Sequence, residues 1–187
     1  FLDEVMFGSY DVVLRYDRSR GVRATRGAED WGNWLDQALG REGNLQSLLR
    51  EPGSALELID RYLLRSLNLK ALTSGAPMSA ASALAAPRSP HPAPVAPARI
   101  AVVIEFAEFV VPRGDALQLG GGFAANIVKV LGWANDPAIT HANIVTVLIS
   151  EGLRDLNVLV VDNPHAAALH VPLPDEIEMS AYLHALA

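Results

Sequence analysis

The chain contains no cysteine, only two lysines, and no Lys or Arg after Arg154. The lack of cysteine excludes a disulfide scaffold, a Cys-ligated zinc site and a thiol nucleophile. It fits the cytoplasm, which is the expected compartment. No apolar run approaches the about 18 residues that a membrane-spanning helix needs, so no membrane partner is expected. Phe1-Leu2-Asp3-Glu4 lacks the basic flank of a signal peptide. The first residue is not Met, and further domains are expected to flank this one.

Lysine scarcity settles the commonest phosphate chemistry. A P-loop, G-x-x-x-x-G-K-[ST], wraps phosphates in backbone N–H groups, neutralises them with Lys, and holds Mg²⁺ with a hydroxyl. Neither Lys70 nor Lys129 follows Gly or precedes Ser or Thr. Gly120-Gly121-Gly122 is a glycine run without that Lys, and it reads as a flexible entry to a helix. No Ser stands in G-x-S-x-G, so the nucleophile elbow is absent as well.

What is present is an apolar, unevenly charged chain of 187 residues with net charge −6. That length fits one domain. Residues 1–99 carry 12 basic and 11 acidic side chains, and residues 100–187 carry 3 and 10. The acidic half makes nucleic acid an unlikely partner, since phosphate neutralisation requires Lys and Arg. Arg15, Arg18, Arg20, Arg23 and Arg26 are clustered in residues 15–27. They suit an acidic interface, or more simply a strand-turn-strand with pairing to Asp11 and Asp17.

DVVLRYD (11–17) predicts a strand and Arg20-Gly21 a turn. Residues 28–40 predict a helix stopped by Gly40. Ser54 and Glu57 have capping-box spacing ahead of a helix over 55–69, with Leu56, Ile59, Leu63 and Leu67 on one face. Residues 73–98 are rich in Ala and Pro and hold no acid. They read as a mobile linker or insertion, whose Pro-x-Pro spacing is also that of SH3 ligands. Beyond it, strands at 100–106, 143–149 and 167–172 alternate with helices at 122–134 and 151–161. Phe123, Ile127, Leu131 and Ala134 are expected inward. A last helix opens at Asp175-Glu-Ile-Glu178. This is the pattern of an α/β fold, a three-layer parallel sheet.

IAVVIEFAEFVVPRGD, from Ile100, resembles the Walker B strand of an AAA-type (AAA+) P-loop ATPase domain. There, four apolar residues precede Asp-Glu, and an apolar residue and an acid follow. Glu105 falls at the Mg²⁺-binding position, Phe106 at the catalytic Glu, and Glu108 at the later acid. ANIVTVLISEGLRDLN (142–157) is similar to the sensor-1 strand and loop, with Glu151 or Gly152 at the polar sensor position. AALHVPLPDEIEMSAYLHAL (167–186) resembles the last strand and following helix. The resemblance covers mainly residues 100–187 and implies a P-loop NTPase-like α/β subdomain.

The departures from that family are chemical. Glu at 105 moves the carboxylate by a methylene, Phe106 removes the group that activates water, and Val160–Pro164 stands where an arginine finger belongs. The reading is therefore one degenerate AAA-like domain spanning 1–187, with no catalytic residue, no metal and no cofactor of its own. It would belong to a larger ATPase and serve assembly, regulation or partner interaction. Its partners would be that protein's own AAA domain or neighbouring subunits of a homo-oligomer, with Arg15–Arg26 or Arg154 acting across an interface. The alternative is an ATP- and Mg²⁺-binding domain with an atypical phosphate site built on Arg18, Arg20 or Arg23. Two weaker candidates are a metal site at His165 and His170 and a carboxylate pair at Glu105 and Glu108. Trp31, Trp34 and Trp133 read as core or interface anchors.

Overall fold

A computed structural model describes residues 5–39, 49–73, 99–115 and 118–186. The Ala/Pro-rich segment and Gly40 lie outside these. Strand β1 (Val12–Asp17) turns back through Arg18–Arg20 into β2 (Gly21–Arg26), and the two pair antiparallel. Gly21 closes the loop with φ +79°, and a Cβ there would stand 2.8 Å from the Leu49 carbonyl oxygen. Only glycine adopts that conformation in that space without strain. Strand β3 (Ile100–Ile104) pairs parallel with β1, Val12 beside Ile100 through Tyr16 beside Ile104. Strand β4 (Ile144–Leu148) pairs parallel with β3. The order β2-β1-β3-β4 gives a parallel core with one antiparallel edge.

Alternation along these strands divides the apolar residues between two faces. Val12, Leu14, Tyr16, Ile100, Val102 and Ile104 share one cluster with helices α1 (Ala28–Leu39), α2 (Pro52–Thr73) and α3 (Gly121–Asn135). Leu56, Ile59 and Leu63 on α2 are fully buried there, and each such side chain contributes about 1.5–3 kcal/mol of burial. Trp31, Trp34 and Tyr62 stack within 5.0–5.3 Å of one another. The Tyr62 hydroxyl donates to Asp30 Oδ2 at 2.5 Å, tying α2 to α1. The opposite face buries Val13, Ala101 and Val103 against Phe7, Tyr10, Val145, Val147 and Ile149. Among the described residues no helix joins that second cluster, so the expected third layer is represented there by the Phe7–Tyr10 segment.

α2 and α3 are clamped by charge. Lys129 Nζ lies 2.5 Å from Glu57 Oε2 and 3.5 Å from Asp60 Oδ2, and Trp133 Nε1 donates to Asp60 Oδ1 at 2.7 Å. The Lys129 pKa is raised: burial would lower it, and the two carboxylates more than reverse that. Asp136 caps the short α4 (Pro137–Thr140), and Asn157 caps the single turn α5 (Val158–Val161).

Several local expectations are corrected. Ser54 is not the cap of α2. Pro52 opens the helix, and the Glu51 carboxylate accepts from the Gly53 and Ser54 amides at 3.0 and 2.6 Å. A proline at the first position wastes no donor, and Glu51 then satisfies the next two. The reciprocal box forms instead at α6 (Glu176–Leu186), where Asp175 accepts from the Glu178 amide at 2.7 Å and Glu178 accepts from the Asp175 amide at 3.1 Å. Of the expected inward face of α3, Ile127 is buried and Leu131 packs against the core, while Phe123 and Ala134 are only half-buried and Asn126, Val130 and Trp133 are buried in their stead. Residues 151–161 hold a 3₁₀ turn (Leu153–Asp155) and α5 rather than one helix. β4 is half-buried because it forms an edge. Residues 167–172 do not form the expected strand: they are exposed and join no sheet among the described residues. No helix of the described residues is long and apolar enough to cross a membrane.

The Tyr62 hydroxyl bonds to an ionised partner, which places it among the stronger hydrogen bonds. Tyr62→Phe is expected to lower unfolding free energy by about 1.5–3 kcal/mol while keeping the ring stack. Urea denaturation followed by tryptophan fluorescence measures it, and an unchanged midpoint would remove the bond from the account.

Candidate functional site

Ligands of open α/β sheets bind outside the carboxyl ends of parallel strands. Here those ends are Asp17 on β1 and Glu105 after β3, which the parallel register sets side by side. The Glu105 amide still donates to the Tyr16 carbonyl at 2.8 Å, so its carboxylate is held where the strand leaves it. Asp17, Glu105 and Arg15 point to the Val13 face, since each lies two or four residues from a member of that cluster.

The carboxylates are taken. Arg15 Nη2 lies 2.9 Å from Glu105 Oε1, and Arg23 Nη2 lies 2.6 Å from Glu105 Oε2. Arg23 reaches Asp17 Oδ2 with its other nitrogen at 2.6 Å, and so bridges the two acids. Asp17 Oδ1 accepts from the Ser19 hydroxyl at 2.5 Å, the Ser19 amide at 2.9 Å and the Arg20 amide at 2.8 Å. Arg20 Nε adds a bond to Oδ2 at 3.0 Å. Burial alone would raise the Asp17 pKa. These donors, the Ser19 hydroxyl first, hold it well below the ordinary carboxylate range. The Arg23 pKa moves up: burial opposes this, and the carboxylates of Asp17 and Glu105 outweigh it.

Three arginines thus meet two acids, and the group carries no surplus negative charge for a divalent cation. Mg²⁺ takes carboxylate oxygens in octahedral geometry. Both Glu105 oxygens already face guanidinium groups. The ion pair and the metal compete for the same lone pairs.

The other predicted positions are not drawn into this group. Phe106 follows with φ 54° and ψ 49°, left-handed for a bulky residue, and its side chain is 55% exposed. Glu108 sits in a 3₁₀ turn (Ala107–Phe109), and its Oε2 is buried without a hydrogen-bond partner. Glu151 is exposed on the loop after β4. Gly152 precedes the Leu153–Asp155 turn, where a Cβ would meet Asp155 Oδ2 at 3.0 Å. Arg154 and Arg18 are exposed, and Arg26 donates to the Gly8 carbonyl oxygen. Asp11 accepts from the Arg99 amide at 2.8 Å rather than from an arginine side chain. Lys129 is the interhelix clamp. No group of three metal-ligating side chains exists among the described residues, the surroundings of His165 and His170 included.

Asp17 as the hub of this cluster was only half visible. Asp-Arg-Ser-Arg-Gly is the signature of a turn whose first carboxylate binds amides two and three residues on. Joining it to Glu105 required the register between β1 and β3, across 88 residues of chain.

Parallel strands with crossover helices and an antiparallel edge define a Rossmann-like α/β domain. Residues 1–172 match the family model of the AAA+ chaperone N-terminal Rossmann-like domain. The chain belongs to that family, a domain of larger AAA+ proteins, in agreement with the AAA-type resemblance of its sequence. No curated protein and no solved structure matches it.

Two consequences are measurable. A carboxylate with a depressed folded pKa contributes stability above its unfolded pKa, which for Asp is ordinarily 3.8. That contribution fades as pH falls through the folded value. Asp17→Asn is expected to lose on the order of 2 kcal/mol at about pH 7 and to lose less further stability than wild type on going to about pH 3. Parallel losses in urea titrations at the two pH values would show that Asp17 is not held low. Glu105→Gln keeps shape but leaves Arg15 and Arg23 facing a neutral amide. In Mg²⁺-free buffer it is expected to cost about 1–3 kcal/mol, whereas a carboxylate reserved for metal would be lost without penalty.

Proposed function

We propose that this is a catalytically degenerate domain that binds neither ATP nor Mg²⁺ and serves assembly or regulation within a larger ATPase. The observation that carries the reading is the engagement of both Glu105 oxygens by Arg15 and Arg23. The position that resembles the metal ligand of Walker B works here as a strut between strands. Loss of chemistry elsewhere agrees with this. The chain has no P-loop lysine, it has Phe106 in place of an acid, and it lacks Lys and Arg after Arg154. Its partners on this reading are the AAA domain of the same protein or neighbouring subunits of a homo-oligomer. Exposed Arg18 and Arg154 are available to such contacts. The expected compartment is the cytoplasm.

Calorimetric titration with ATP, with and without Mg²⁺, tests it. No heat is expected up to about millimolar nucleotide, a concentration equivalent to roughly 4 kcal/mol of binding. Micromolar, Mg²⁺-dependent binding that disappears in Glu105→Gln would replace this reading with the alternative, a nucleotide site whose charge comes from Arg18, Arg20 or Arg23.

A further inference from the structure

No further inference is drawn: the strongest candidate, the apolar surface patch of Phe106 and Phe109 at the 3₁₀ turn after β3, is exposed in both rings, and nothing in the structure shows what covers it.

Discussion

The shape of the sheet depends on how one buried carboxylate is satisfied. Asp17 is 1% exposed and ends a strand inside the fold. An unpaired charge in that position would cost several kcal/mol. The turn meets most of this need locally, through Ser19 and Arg20. Arg23 meets the rest, and in doing so it reaches Glu105 on a strand far away in sequence. The hairpin is thereby locked to β3 by charge as well as by the parallel ladder. The uneven charge of the chain acquires a reason as well. Basic residues of the first half meet acids of the second at Glu105, and acids of the first half meet Lys129 on α3.

The helical layer follows a related logic. α2 has a buried apolar face and a polar flank, and each does a separate job. Leu56, Ile59 and Leu63 seat it on the sheet. Glu57, Asp60 and Tyr62 then fix its neighbours, Lys129 and Trp133 of α3 on one side and Asp30 of α1 on the other. Apolar burial supplies most of the free energy and says little about direction. The polar pairs are few, short and directional, and they set where each helix lies.

Much of this was legible in the chain itself. Strands with continuous apolar runs, such as IAVVI, were read within a residue or two, because burial on both faces requires that pattern. The turn at Gly21 and the box at Asp175–Glu178 were local signals and were read locally. Failures came where a tertiary neighbour decided between local options. Ser54 and Glu57 have capping spacing, but Pro52 and Glu51 start the helix earlier and Glu57 is drawn to Lys129. Phe123 fits a helical stripe, yet contact with α2 favours the face of Val130 and Trp133. The IVTVL strand looked central because edge position is a property of the sheet, not of the segment. Glu105 was found by motif, but the motif could not report which cations surround it.

The groups around Glu105 decide what this strand end can do. A carboxylate at the end of a buried parallel strand has two stable environments, a metal ion or basic side chains. Either one removes the cost of the unpaired charge. With Arg15 and Arg23 on Glu105, the carboxylate serves as a strut between strands. Phe106 follows, 55% exposed, and brings no charge to this group. Its left-handed backbone persists because Glu105 is bonded to Tyr16 before it and Ala107 to Ile149 after it. The strand and its exit are therefore fixed by pairing on both sides, whatever side chain sits between.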